Sequence, residues 1–403
     1  MFERRNNVLL AISASIAIYK ALEVISLLKK RDFNIRVAMT REAAAFISPV
    51  VFEALTGSKV YVNVLEELER VADTNITHVA LAEWADVFAV VPATSNVIAK
   101  LACGMSDDAV SLVGLATKAH KLIVPAMNTN MYLNPITQRN LRMLQGAGYL
   151  VVEPVSATLA CGQEGKGHIA DVVDIADAIE TLAYPKPFEG KKIIVTASAT
   201  REEIDPVRFI SNRSTGKMGF AIAKAARMLG AQVKLITGPT HLAAPWGVEC
   251  IRVNSAVDML REARKALDEF GDAIVIMAAA IADFKPVRRS DHKIKKEDKE
   301  RLVIELEKNP DVTVSLVEHA RSSGNNVRFV GFAAETDDLL ENATKKIEKK
   351  SLEFIVANDV SRSDIGFGSE DNQVTIIYKD GRIERLEKMS KERLAFEILR
   401  RLA

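Results

Sequence analysis

Two groups of residues in this sequence have the side chains that acid–base, thiol or carboxylate chemistry needs. Residues 125–132 read Pro-Ala-Met-Asn-Thr-Asn-Met-Tyr and follow an apolar run. An amide at the end of a buried strand, Asn128, can hold a carboxylate, and Met127 and Met131 can line a flat aromatic ring, although methionines more often fill a core. His78, one of only six histidines, starts a mostly apolar helical stretch, where a structural histidine is the common outcome. Cys161 lies in the polar, glycine-bearing stretch 156–168, which suits a reactive or proton-donating thiol better than the settings of Cys103 and Cys250. Ser13-Ala14-Ser15 and Pro92-Ala93-Thr94-Ser95-Asn96 put hydroxyls where a strand hands over to a helix. Backbone N–H groups and the helix dipole attract phosphate there, while plain capping is enough to explain Ser13 or Ser15 alone.

The second group lies beyond residue 190. Ser211-Asn212-Arg213-Ser214-Thr215-Gly216-Lys217-Met218-Gly219 leads into a helical pattern. A Walker A loop would need Gly at 211 and Ser or Thr at 218, where Ser211 and Met218 stand. The helix start can still take an anion. Lys285, Arg288, Arg289, Lys293, Lys295 and Lys296 outweigh a single acid, Asp291, across 285–296. Charge runs are usually solvated surface. This one follows an apolar strand and residues 278–283, so a mobile loop there can close over a triphosphate and stabilise charge developing in nucleotidyl transfer. The interleaved aromatics of nucleic-acid binding are missing.

The rest of the chain must position these segments. It has 403 residues, 48% hydrophobic and 27% charged, with a formal net charge of +1. That is long for one core, and the charge balance gives no pull toward nucleic acid or anionic membrane. The first residues contain only a short apolar run, so neither a leader nor a membrane span is expected. Three widely spaced cysteines without a CxxC pair argue against a disulfide framework or structural zinc. No protein metal ligands are expected, and the cytoplasm is the expected compartment.

Apolar runs at 7–12, 34–39, 86–91 and 121–125 alternate with helical patterns that include 16–30 and 42–55. A Pro- and Gly-bearing stretch at 184–192 marks a linker, after which the alternation restarts. Strands are expected at 192–196, 232–236, 273–277, 327–331 and 353–357, with helices at 218–229 and 337–349 and a closing helix ending at 402. Residues 373–378 and 383–386 flank Lys379-Asp380-Gly381-Arg382 and predict a hairpin with a type I′ turn. Continuously apolar runs are those of parallel strands buried on both faces. The pattern therefore predicts α/β architecture: two doubly wound Rossmann-like domains in tandem, 1–185 and 190–403, the second with an added β-hairpin. In such sheets ligands bind outside the carboxyl ends of the strands, where residues 13–16, 40, 92–96, 125–131, 196–201 and 278–283 fall. No GxGxxG follows the first strand, which disfavours a nicotinamide oxidoreductase.

His78 ahead of Trp84-Ala85-Asp86, the Pro92–Asn96 stretch, residues 125–132 and Ala160-Cys161-Gly162 together resemble the flavoproteins that decarboxylate cysteinyl substrates, phosphopantothenoylcysteine decarboxylase above all. That family is flavodoxin-like and more often has Trp where Tyr132 stands and Gly-Gly at Ala14-Ser15. The resemblance implies FMN at the strand ends, touched by Ser13, Ser15, Thr40, Ala93, Thr94 and Asn96. It implies His78 as base or substrate orienter, Asn128 on the cysteine carboxylate, and Cys161 as a late proton donor. It also explains the need for a flavin, because an N-acylcysteine offers no electron sink for decarboxylation. Oxidation of the CH₂–SH group to a thioaldehyde lets CO₂ leave as an enethiolate forms. Return of hydride and a proton then makes the cycle redox-neutral.

Beyond residue 190, the segments 199–219, 278–286, 293–296, 308–312 (Lys-Asn-Pro-Asp-Val), 330–336 and 357–360 are similar, in that order, to phosphopantothenate–cysteine ligase. The resemblance implies attack of a carboxylate on a nucleotide α-phosphorus, giving an acyl-nucleotide that the cysteine amine displaces. Asn212 would hold the acyl intermediate and Lys293 would stabilise the transition state. Asp283, Pro310, Asp311, Val312, Phe332, Lys346 and Lys350 would line the nucleotide, and Ala279 and Ala280 would present backbone groups. CTP is the implied nucleotide, with Mg²⁺ on its phosphates. The family motif usually reads TAGPTRE, whereas residues 196–202 put Ser198 for Gly and Ala199 for Pro.

Flavoprotein first and ligase second is the order in the bifunctional coenzyme A biosynthesis proteins of bacteria and archaea. It implies small-molecule substrates (4′-phosphopantothenate, cysteine and CTP) and no nucleic-acid or membrane partner. Trimeric flavoprotein contacts with dimeric ligase contacts would be compatible with a dodecamer. An FMN-dependent prenyltransferase would leave the second half unexplained. A phosphatase-regulatory subunit would want an acidic tail, where this chain has the basic stretch 391–403.

Overall fold

The computed structural model describes residues 2–63, 77–158, 164–295, 301–335, 346–359 and 368–403. The chain divides into two compact units, Glu3–Pro185 and Lys186–Ala403.

In the first unit, β1 (Asn7–Ile12), β2 (Asn34–Met39), β3 (Val87–Ala93), β4 (His120–Pro125) and β5 (Tyr149–Val151) form a five-stranded sheet in the order 2-1-3-4-5. Every pairing in it is parallel. This is the flavodoxin-like order, which reverses direction between β1 and β3. Leu9 and Phe88 have no exposed surface, because helices cover the sheet. Ile98 and Val113, from α5 (Ser95–Cys103) and α6 (Ala109–Ala116), join the same core cluster.

The helix expected at 42–55 is two helices, α2 (Arg41–Phe46) and α3 (Pro49–Thr56), so that expectation is corrected. A proline ring bars the preceding residue from helical geometry, and Ser48 is accordingly extended at ψ 133. Proline itself fits the first helical position, where its missing N–H costs nothing. Helices α1 (Tyr19–Lys30), α4 (Thr77–Trp84), α7 (Thr129–Leu133), α8 (Pro135–Gly146) and α9 (Val172–Ala183) also belong to this unit. Within 156–168, expected as a loop, the described residues form an antiparallel hairpin of β6 (Val155–Thr158) and β7 (Glu164–His168).

In the second unit, β8 (Lys192–Ala197), β11 (Gln232–Thr237), β12 (Glu249–Arg252), β13 (Ala273–Met277), β16 (Val327–Glu335), β17 (Phe354–Asp359), β19 (Val374–Tyr378) and β20 (Ile383–Arg385) form an eight-stranded sheet, in the order 12-11-8-13-16-17-19-20. Pairing is parallel as far as β17 and antiparallel beyond it. Short antiparallel pairs stand apart from the sheet: β9 (Arg201–Glu203) with β10 (Phe209–Ser211), β14 (Phe284–Pro286) with β15 (Leu306–Lys308), and β18 (Asp371–Asn372) with β21 (Met389–Ser390). Its helices include α10 (Lys217–Met228), α11 (Ala256–Phe270), α12 (Val312–Ser323) and a closing helix, Lys391–Arg400.

The hairpin of β19 and β20 is present, but its turn is not type I′. That turn needs positive φ at both central residues, and only Gly381, at φ 84, has it. The Gly381 N–H donates to Tyr378 O at 3.0 Å and the Tyr378 N–H to Arg382 O at 2.9 Å, a longer loop that tucks one residue out of register. Of the helix expected at 337–349, residues 337–345 lie outside the described residues, and 346–350 are helical.

Candidate functional site

In the first unit the strand-end residues are tied together. Ser13, 1% exposed, donates its hydroxyl to Pro92 O at 2.8 Å and accepts the Thr94 N–H at 2.9 Å. That staple locks the ends of β1 and β3 at the point where the strand order reverses. Ser15 accepts the Ala17 N–H and reaches Ala126 O at 3.4 Å. Thr40 caps α2 through the Ala43 N–H, and Thr94 caps α5 through the Val97 N–H. Ala93 ends β3 with no exposed surface, its carbonyl accepting the Ala126 N–H at 3.0 Å. Asn96 is exposed in the first turn of α5. Ser13, Ser15, Thr94 and Ala126 therefore meet at the carboxyl edge. Small residues, hydroxyls and the nine-residue α5 starting there fit the phosphate and polar chain of a flavin mononucleotide.

Asn128 caps α7, its Oδ1 accepting the Asn130 N–H at 2.8 Å. The 127–129 stretch lies against β7: the Met127 N–H donates to Gly167 O at 3.1 Å. A clasp reinforces this seat, since the Tyr132 hydroxyl donates to Glu153, which also pairs with Lys166 at 2.6 Å. Burial and the Glu153 carboxylate push the Tyr132 phenol well above its usual range. His78 stands in the first turn of α4. Cys161 lies outside the described residues.

In the second unit a cleft of 620 Å³ lies at the carboxyl end of β13, with residues of β16 and β17 also lining it. Ala279, Ala280, Asp283, Pro310, Asp311 and Val312 line it. Phe332, Lys346 and Lys350 line it too, with Lys350 paired to Asp311 at 3.1 Å. The start of α10 borders it, with Gly216 at φ 88 in the capping position and no side-chain cap. Ser214, Gly216, Lys217, Met218 and Gly219 all border the cleft, so uncapped N–H groups meet it. Ser198 lies beneath Gly216. It is fully buried, sits at φ 65, and its hydroxyl accepts a hydrogen bond from Thr237 Oγ1 at 3.0 Å. Its carbonyl accepts the Ala280 N–H at 2.8 Å, which joins the two strand-end loops.

Asn212 and Lys293 are not among the cleft-lining residues. The Asn212 amide donates to Ala280 O at 3.1 Å and Ile281 O at 3.4 Å, which puts it beside the alanine loop. Lys293 is exposed, in the segment expected to be a mobile basic loop. Residues 284–286 are strand β14, and Asp205 accepts the Ile294 N–H at 3.2 Å while Arg208 donates to Ile294 O at 2.8 Å. Lys296 lies outside the described residues.

Hydrogen bonds from Arg208, then the Val207, Ile294 and Arg208 N–H groups, hold the Asp205 carboxyl far below the usual carboxylate range, against the opposing effect of burial. A carboxyl depressed in the folded state contributes stability that is complete above the unfolded pKa, near 4, and is lost as pH falls through the folded value. Asp205→Asn is therefore expected to lower the melting temperature by a constant amount between about pH 6 and 9, with the gap closing below about pH 3. Melting curves across pH test this, and a gap that persisted into acid would remove the ion pair as its cause.

The sequence left some of the cleft unassigned. Lys308, Asn309 and Asn358 stand in segments that carried the ligase resemblance but had no role attached. Asn372 and Lys391 enter from the far end of the chain, and no local spacing pointed to them.

Two α/β units, one with an all-parallel sheet and one with a mixed sheet, each with polar residues gathered at the carboxyl ends of parallel strands, define a tandem α/β enzyme. The family model described as Flavoprotein matches residues 2–184, and that of the DNA/pantothenate metabolism flavoprotein C-terminal domain matches residues 188–403. The coenzyme A biosynthesis bifunctional protein CoaBC of Bacillus subtilis (strain 168) is 45% identical over 98% of this chain and 96% of its own length. The crystal structure of a CoaBC C-terminal domain is 41% identical, covering 54% of this chain and 96% of that one, with a TM-score of 0.45. A PPC decarboxylase mutant complexed with pantothenoylaminoethenethiol is 27% identical, covering 44% and 97%, with a TM-score of 0.40. The chain belongs to the family of coenzyme A biosynthesis bifunctional proteins. It is an enzyme of coenzyme A biosynthesis with decarboxylase and ligase activities. Among the described residues no helix is long and apolar enough to cross a membrane.

Proposed function

We propose that the second unit joins cysteine to 4′-phosphopantothenate at the expense of CTP, and that the first unit decarboxylates the resulting phosphopantothenoylcysteine with FMN. The observation that carries the ligase half is the cleft itself: an uncapped helix start at Gly216 opens among Lys217, Lys346 and Lys350, a setting for a polyphosphate. Mg²⁺ enters with the triphosphate, whose oxygens are hard ligands suited to it.

The substrate carboxylate attacks the α-phosphorus, and pyrophosphate leaves. The cysteine amine then displaces the nucleotide. Ala279 and Ala280 present backbone groups to the acyl-cytidylate, with Asn212 beside them. Asp283, Pro310, Asp311, Val312, Phe332, Lys346 and Lys350 line the nucleotide. Lys293 brings positive charge to the phosphorus from its anchored segment.

In the first unit, Ser13, Ser15, Thr40, Ala93, Thr94 and Asn96 hold the phosphate and polar chain of FMN at the β1–β3 edge. FMN supplies a hydride acceptor and donor that protein side chains lack. Asn128 holds the cysteine carboxylate, His78 orients the thiol and takes its proton, and Cys161 returns a proton late in the cycle. We place the enzyme in the cytoplasm as a homo-oligomer, with trimeric contacts in the first unit and dimeric contacts in the second.

The test incubates purified protein with 4′-phosphopantothenate, cysteine, Mg²⁺, FMN and either CTP or ATP. Pyrophosphate and 4′-phosphopantetheine are expected with CTP. Formation of neither product with either nucleotide would sink the proposal, and faster turnover with ATP would overturn the choice of CTP.

A further inference from the structure

One wall of the ligase cleft is built by residues to which no motif assigned a role. The antiparallel pair β18–β21 sets Asp371 opposite Ser390 and Asn372 opposite Met389. It thereby delivers Asn372 and Lys391 to the cleft that Lys217 and Gly216 border from the start of α10. Lys391 is the first residue of the closing helix and only 6% exposed, a burial that lysines seldom have. Its ammonium donates to Ser369 O at 2.6 Å, and Lys217 donates to Gly368 O at 3.0 Å. Both ammoniums therefore converge on residues 368–370. Glu370 pairs with Lys217, yet its side chain is 83% exposed, so solvent screens much of its charge. Burial and then the neighbouring Lys217 push the Lys391 ammonium below its ordinary pKa, with Glu370 acting in the opposite sense.

Two lysines held close together beside an uncapped helix start are arranged for an anion with several charges. We propose that Lys217 and Lys391 bind the β- and γ-phosphates of the nucleotide and hold the pyrophosphate that leaves. The assignment rests on nucleotidyl transfer taking place in this cleft. In that step a carboxylate oxygen forms a bond to the α-phosphorus, and the bond from the α-phosphorus to the bridging oxygen breaks. The electron pair departs with pyrophosphate, whose new charge the two ammoniums neutralise. Lys391 touches the leaving group, so its loss falls on nucleotide and pyrophosphate and not on cysteine.

The test uses the full chain and inorganic pyrophosphate with Mg²⁺ as inhibitor, with CTP varied at fixed 4′-phosphopantothenate and cysteine. Lys391→Met is expected to weaken pyrophosphate inhibition about 10-fold or more, as loss of one charge-assisted hydrogen bond implies. The KM for CTP should rise with it, that for cysteine should stay within about twofold, and Lys391→Arg should restore inhibition. A merely structural role would instead lower the melting temperature and move every constant together, which would overturn the assignment. So would pyrophosphate inhibition in Lys391→Met equal to that of the unaltered protein. If Lys391→Met does not fold, Lys217→Met gives the same constant with the same two outcomes. An unaltered protein that releases no pyrophosphate from CTP would overturn the proposed function together with this assignment. Normal release with unchanged inhibition in the variants overturns this assignment alone.

Discussion

Replacing Gly216 by alanine is expected to cut cysteine ligation about 100-fold, while decarboxylation of supplied phosphopantothenoylcysteine stays at its original rate. A Cβ at 216 would stand 2.1 Å from Ser198 Oγ and 3.2 Å from Ser198 Cβ. That hydroxyl cannot swing away cheaply, because Ser198 is fully buried and hydrogen-bonded to Thr237. Alanine at φ 88 also carries left-handed strain of about 1–2 kcal/mol. The relief available is a shift of the α10 start by roughly 1 Å, and displacements of that size cost about two orders of magnitude in rate. Pyrophosphate release, measured beside CO₂ release from the supplied intermediate, separates the two activities. Ligation within about twofold of the unaltered enzyme would show that the α10 start does not hold the phosphates.

The mirror case lies in the first unit. Gly167→Ala is expected to cut decarboxylation by a similar factor, about 100-fold, and to leave ligation untouched. Its Cβ would meet Met127 O at 2.4 Å and Thr129 N at 3.3 Å, both backbone atoms that no rotamer change can move. The 127–129 stretch must therefore shift, and Asn128 shifts with it. Gly146→Ala serves as control, because a Cβ there meets nothing within 4 Å. If Gly167→Ala bound FMN and decarboxylated at full rate, Asn128 would not be holding the reacting carboxylate.

The strands were legible because parallel strands buried on both faces are written as unbroken apolar runs, as in Val8–Ile12 and Ile193–Val195. The rule that ligands sit beyond the carboxyl ends then selected the loops at Ser13, Thr94 and Ala280 without any coordinates. The two helices misread as one across 42–55 were written in the sequence too, since Pro49 excludes helical geometry at Ser48. Other features could not be read. Lys217 and Lys391 meet because the closing helix packs against α10 and β18 pairs with β21, and no periodicity encodes a meeting across that much chain. The anchoring of Lys293 was equally hidden, because a run of cations gives no sign that Asp205 and Arg208, far upstream, grip Ile294. Residue types pointed to phosphate chemistry, and the fold decides which cations border the cleft.

Ser198 and Gly216 share one small volume, and only one of them can fill it. Ser198 adopts a left-handed backbone and places its hydroxyl where a side chain at 216 would go. The two positions are therefore not free to vary independently. Removing the Ser198 side chain would relieve the clash of a larger residue at 216, while the left-handed backbone at φ 88 would still disfavour it. Ser198, a departure from the usual glycine of the family motif, thus ties what position 216 can hold to a side chain in another loop.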